Sequence, residues 1–81
     1  MTITEQECSR WLEIAARAEI GTLAGDIEHM NAIEQALASA PKHGRVGMTG
    51  REWILIAAMN NAADHAGLWA HYQARLREEA K

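Results

Sequence analysis

The sequence predicts an all-α protein, and three observations support that prediction. The 81 residues include many alanines, no phenylalanine and a single proline, a composition that favours close-packed helices over sheets. Apolar residues recur at spacings of three and four on both sides of the segment 40–48. That segment contains Pro41, Gly44 and Gly47, which end one helical run before the next begins.

The first half of the chain predicts one long helix over about residues 5–39. Thr4 and Glu7 have the spacing of a capping box at its start. The apolar stripe keeps its phase across two glycines, which favours a continuous helix, although each glycine costs about 1 kcal/mol relative to alanine. A break near Gly21–Gly25 is therefore the alternative. The stripe consists of Leu12, Ala16, Ile20, Leu23, Ile27, Met30, Ile33 and Leu37.

The second half predicts a loop over 40–49 and a second helix over about 50–78. Thr49 and Glu52 form another capping box. Two capped helices joined by a loop of about ten residues predict an antiparallel helical hairpin. The predicted heptad seam of the second helix contains Leu55, Met59, Ala62, Ala66, Trp69, Gln73 and Leu76.

The segment 53–59 is apolar all round, so it has to be covered on more than one side. A two-helix hairpin offers it only one seam. We therefore expect two hairpins to pair into a four-helix bundle as a homo-oligomer, or one hairpin to dock on a partner. In this arrangement Ile27 and Leu55 are expected to be core residues.

Composition and charge narrow the classes of function. A chain of this length forms one domain, 1–81. Cys8 is the only cysteine, and a lone thiol suits a reducing compartment. Because neither a signal peptide nor a membrane-spanning stretch is visible, we expect a cytoplasmic protein. Residues 1–40 carry seven acids against Arg10 and Arg17, a net charge of −5 that argues against nucleic-acid binding.

Catalytic, metal and cofactor motifs are not apparent in the sequence. Asp26 and His29 have the spacing used in carboxylate-bridged helical bundles, but the second such motif is missing. Cys8 lies in the first turns of a helix, yet at a position that also suits a core-edge residue. We therefore expect a protein that is not an enzyme and that binds neither metal nor cofactor.

Two groups of residues are candidate binding sites. Trp11 and Trp53 lie near the two predicted helix starts, and tryptophan is enriched at the centres of protein interfaces. Glu7 and Glu13 would place an acidic rim around Trp11. The second group is a basic loop at the start of the second helix, where backbone N–H groups favour anions, unless it is only a solvated turn. This loop contains Lys42, His43, Arg45 and Arg51.

A polar cluster interrupts the second apolar run. It can be a recognition surface or the floor of a small-ligand site, a buried device that fixes the helix register, or the solvent face of the helix. The sequence does not decide among these interpretations. The cluster consists of Asn60, Asn61, Asp64 and His65.

The combined features predict a small helical protein that acts by binding another protein, as a homodimer. In size, acidity and hairpin style the chain is similar in type to the accessory inhibitors, adaptors and regulators that phages and plasmids encode, a similarity that transfers no residues. The alternative is an oligomeric binder of an anionic metabolite or nucleotide at the basic loop 42–51. The two hypotheses differ in whether the cations of that loop converge.

Overall fold

The computed structural model describes residues 3–44 and 47–81, with side chains from residue 5 onward. The predicted side-chain contact between Thr4 and Glu7 therefore lies outside the described residues, as does the predicted anion ligand Arg45.

The described residues fold into four α-helices, so the predicted all-helical class is confirmed. Helix α1 packs on α2, α3 packs on α4, and the two pairs meet mainly where α3 contacts α2 and α1. None of the four helices is long and apolar enough to cross a membrane. Their bounds are α1 Ile3–Arg17, α2 Leu23–Ala38, α3 Gly50–Asn61 and α4 Ala66–Glu79.

The first predicted helix is broken at residues 18–22, which corresponds to the alternative near Gly21–Gly25. Gly21 has a φ of +108°, a conformation that favours glycine, and its N–H donates to Asp26 Oδ1 at 2.9 Å. Thr22 caps α2 by accepting a hydrogen bond from the N–H of Gly25 at 3.0 Å. A Cβ on Gly25 would lie 1.8 Å from the carbonyl oxygen of Glu19. Both glycines are therefore required by the turn.

The second predicted helix is also broken, at residues 62–65, and this break was not predicted. His65 is the N-cap of α4, where its Nδ1 accepts from the N–H of Leu68 at 3.1 Å. No glycine or proline marks these four positions, and the apolar seam continues across them in phase. The signal that was present is the polar cluster itself, because Asn60, Asn61 and Asp64 are residue types that favour turns.

The start of α3 agrees with the predicted capping box. Thr49 Oγ1 accepts from the N–H of Glu52 at 3.1 Å, and Glu52 Oε1 accepts from the N–H of Thr49 at 3.0 Å. The preceding loop is tied by an isolated antiparallel bridge between His43 and Thr49.

The hydrophobic core draws on all four helices, and α3 lies at its centre. Because α3 contacts each of the other three helices, its residues Ile54, Leu55 and Ala58 are completely buried. One chain thus covers several sides of the apolar segment 53–59, so that segment does not by itself require a second chain. The buried hydrophobic residues are Cys8, Ala15, Ala32, Ile33, Ala36, Leu37, Ile54, Leu55, Ala58, Ala62, Leu68 and Tyr72.

The two breaks change which residues of the predicted stripes are buried. Ile33 and Leu37 lie in the core as expected, but Leu23 and Ile27 are 79% and 54% exposed, so their predicted core positions were wrong. The turn at 18–22 lets α2 take a phase of its own, which buries Gly25, His29, Ala32 and Ala36 instead.

The same correction applies in α4. Trp69 was expected in the seam and is 36% exposed, because Leu68 and Tyr72 occupy the buried positions.

Candidate functional site

A polar cluster around the buried His29 joins three of the helices. His29 of α2 is fully buried, with Nδ1 2.6 Å from Tyr72 Oη of α4 and Nε2 3.1 Å from Asn61 Oδ1 of α3. An amide oxygen only accepts, so Nε2–H donates to Asn61. Nδ1 then carries a lone pair and accepts the hydroxyl proton of Tyr72. A neutral imidazole satisfies every hydrogen bond of this cluster.

Burial keeps both rings of the cluster neutral. Desolvation lowers the pKa of His29 below its usual 6.5, against the opposing effects of the Asn61 hydrogen bond and the negative charge of Asp26. Desolvation likewise raises the pKa of Tyr72 well above its usual 10. His29 is 0% and Tyr72 1% exposed, so neither offers an atom to a molecule in solution. The hydrogen bonds of the cluster link α2 to α3 and α4.

Two further contacts join α2 and α4 beside the cluster. His65 Nε2 lies 3.3 Å from Asp26 Oδ2, and Arg75 forms an ion pair with Glu34. The contacts run in the same order along both helices, so α2 and α4 run in the same general direction. His65 uses both ring nitrogens, one for the cap of α4 and one for Asp26.

The predicted polar cluster at 60–65 therefore serves mainly as a structural device. Asn61 bonds the buried histidine and His65 forms the cap, and Asn60, Asn61 and Asp64 are all exposed residues. Sequence reasoning missed His29 as the partner, because the two are 32 positions apart and no local pattern pairs them. Asp26 and His29 do not converge on a common site: their partners are His65 and the Tyr72–Asn61 pair. Across 3–44 and 47–81, no group of three His, Cys, Asp or Glu residues is arranged to hold a metal ion.

The predicted tryptophan anchors are less exposed than expected. Trp11 and Trp53 are partly buried and pack against the core, whereas Glu7 and Glu13 are exposed on α1. Both tryptophans therefore contribute to packing, in contrast to the exposed anchor that was expected near a helix start.

Trp69 is the most exposed of the three tryptophans. It lies beside a shallow cavity of about 340 Å³ at the turn between α3 and α4, which Ala63, Asp64 and Ala66 also line.

Of the predicted anion-binding residues in the basic loop, Arg51 already contacts other parts of the protein. Arg51 Nε and Nη2 lie 2.8 Å and 2.7 Å from Glu79 Oε1, and Nη1 donates to the carbonyl oxygen of Leu37 at 3.1 Å. The Glu79 hydrogen bond raises the pKa of Arg51, and the same bond lowers the pKa of Glu79. Arg51 thus ties the start of α3 to the ends of α2 and α4, while Lys42 and His43 are exposed in the loop.

The largest exposed aliphatic side chains lie together on α2. Leu23 and Ile27 are one helical turn apart and therefore share a face, which we call the α2 patch. The partly buried Met30 continues this face towards the core. The α2 patch is the candidate interaction surface.

Comparisons with protein-family models, with curated proteins and with solved structures found no match. The function of the chain has to be inferred from its own residues and their geometry.

Proposed function

We propose that this chain is a non-enzymatic helical protein that acts by binding another protein, and that it does so as a homodimer held together by the α2 patch. The observation that carries the proposal is the exposure of Leu23 and Ile27, 79% and 54%, on one face of α2. Single exposed aliphatic residues are common, but adjacent ones on one helix face are typical of contact surfaces. Burying such a side chain fully is worth about 1.5–3 kcal/mol.

The helix that carries the patch is held by hydrogen bonds along its length, which favours binding. Thr22 caps α2 immediately before Leu23, and His29 anchors the helix to α3 and α4 one turn after Gly25. At the other end Arg51 donates to the carbonyl oxygen of Leu37. A surface held in its bound conformation loses little entropy on association.

A second copy of the chain is the simplest partner. In a twofold dimer the same patch lies on both sides of the interface, so each Leu23–Ile27 pair covers its counterpart. If the twofold axis is perpendicular to α2, the two α2 helices run antiparallel, an orientation in which their dipoles attract. The homodimer would then act as an adaptor, inhibitor or regulator in a reducing compartment such as the cytoplasm, where the unpaired thiol of Cys8 remains reduced.

The distribution of titratable groups supports a binding role over catalysis. His29 and Tyr72 are enclosed, so they cannot act as acid or base on an external substrate. Burial raises the pKa of the Cys8 thiol, which disfavours the reactive thiolate.

The alternative, an anionic ligand at the basic loop, has less support. Arg51 would have to leave Glu79 and the carbonyl oxygen of Leu37 before it could bind an anion beside Lys42 and His43. No contact of the described loop residues favours that rearrangement.

Sedimentation velocity across a range of protein concentrations tests the proposal. The wild type should sediment with twice the 9.0 kDa chain mass, and Leu23→Gln with Ile27→Gln should give a folded monomer. Ala70→Gln with Ala74→Gln is the matched control, because both alanines are exposed, one helical turn apart, and lie on α4 rather than α2. A wild type that stays monomeric at every concentration, or a patch variant that still dimerises, would contradict the homodimer.

A further inference from the structure

His29 has a hydrogen-bonding arrangement that only its neutral form satisfies. Nε2–H donates to Asn61 Oδ1, and Nδ1 accepts from the hydroxyl of Tyr72, the sole hydrogen-bond partner of that hydroxyl among the described residues. A proton added to Nδ1 converts the acceptor into a donor. The Tyr72 hydroxyl must then turn its own proton away from its partner. Protonation thus leaves the buried Tyr72 hydroxyl proton without its acceptor and places a positive charge in the interior.

We propose that His29 is an acid-sensitive latch, in which the neutral imidazole holds α2 against α3 and α4 and a proton on Nδ1 releases that hold. The latch lies where the three helices converge, so its release affects the junction of the two helical pairs. It is a property of the fold and does not depend on what covers the α2 patch.

The charges around the latch only partly compensate a protonated His29. On α2 itself, Asp26 attracts the positive charge, but its carboxylate is shared with His65. Glu34 and Arg75 form their own ion pair at the α2–α4 boundary.

The remaining neighbours carry no opposite charge. The α3 side presents the neutral amide of Asn61, and the exposed ring of His71 packs edge-on against Tyr72. On the α1 side the buried core residues are Cys8, with a raised thiol pKa, and Ala15.

The direction of the pH effect follows from proton binding. Burial lowers the pKa of His29 in the folded chain. Below pH 6.5 the His29 side chain of the unfolded chain therefore binds a proton more readily than that of the folded chain. The contribution of the neutral imidazole is therefore fully present above pH 6.5 and is lost as the pH falls towards the lowered pKa. One such group changes the unfolding equilibrium constant by at most about tenfold per pH unit.

Urea unfolding at about pH 7.5 and about pH 5.5 tests the latch. Histidines usually change protonation between these two pH values, whereas most carboxylates stay ionised at both. Loss of the latch should raise the unfolding equilibrium constant of the wild type several-fold on acidification, with His29 contributing at most about tenfold over this whole window. His29→Gln should show a smaller rise than the wild type, whereas His43→Gln, which removes an exposed loop histidine, should match the wild type. Equal pH dependence in the wild type and His29→Gln would overturn the proposal.

A second measurement needs no variant, in case His29→Gln does not fold. Long-range ¹H–¹⁵N correlation spectra of the wild-type imidazoles report which ring nitrogen carries the proton. At neutral pH, Nδ1 of His29 should be unprotonated and Nε2 protonated, and this pattern should persist on acidification until the native signals disappear. A His29 that titrates within the folded protein at an ordinary pKa would overturn the latch.

Discussion

Tyr72 Oη lies 2.6 Å from Nδ1 of His29, a contact that joins α4 to α2 across 43 positions of the sequence. Because this hydrogen bond links the α1–α2 pair to the α3–α4 pair, the Tyr72 hydroxyl connects the two halves of the fold. Together with Asn61, it accounts for how a fully buried histidine is accommodated among aliphatic side chains.

Replacing Tyr72 by phenylalanine should lower the free energy of unfolding by about 1–3 kcal/mol, because Nδ1 of His29 then has no donor in the interior. Chemical denaturation at neutral pH measures the change. Gln35→Ala on the exposed face of α2 is a suitable control and should stay within about 0.5 kcal/mol. If Tyr72→Phe were neutral or stabilising, the cluster would not be a stabilising element of the fold.

Two isoleucines of α2 should respond very differently to truncation. Ile33 is completely buried, so Ile33→Ala should cost about 2–5 kcal/mol. Ile27 is 54% exposed, and for a chain kept dilute enough to be monomeric Ile27→Ala should cost less than about 1 kcal/mol. The same unfolding measurement on both variants checks the phase of α2. Comparable losses would restore the continuous stripe that the sequence alone suggested.

Two glycines should give changes of opposite sign when replaced by alanine. A Cβ on Gly25 would meet the Glu19 carbonyl at 1.8 Å, so Gly25→Ala should destabilise the turn between α1 and α2 by more than about 1 kcal/mol. Gly67 lies in the first turn of α4, where the closest atom to an added Cβ is Cε1 of His65 at 3.5 Å, an ordinary van der Waals contact. Gly67→Ala should therefore stabilise by about 0.4–1 kcal/mol. Thermal melting of the two variants measures the sign of each change. A higher melting temperature for Gly25→Ala would argue against this turn.

The helical class and the start of α3 were predictable because their signals are local. Thr49 and Glu52 are three residues apart, and both hydrogen bonds of the predicted capping box are present. Leu55 was expected in the core and is fully buried. The break near Gly21 was available as an alternative because glycine is costly inside a helix.

The turn at 62–65 and the burial of His29 depend on contacts that a single sequence does not reveal. The turn at 62–65 relies on His65 as an N-cap, and histidine is not among the residues that ordinarily mark one. Once that turn is missed, the phase of α4 is wrong and Trp69 is assigned to the seam. The burial of His29 was unpredictable for another reason, since its partners come from two other helices.

Trp11 and Trp69 should differ in how much each side chain stabilises the fold. Trp11 packs against the core, so Trp11→Ala should cost about 1–3 kcal/mol, less than the 3–5 kcal/mol typical of a fully buried tryptophan. Trp69 is 36% exposed beside a shallow cavity, so Trp69→Ala should cost less than Trp11→Ala. Urea unfolding of the two variants at one protein concentration makes the comparison. A larger loss for Trp69 than for Trp11 would place Trp69 in the core after all, and would return Trp11 to the role of exposed anchor within the acidic rim of Glu7 and Glu13.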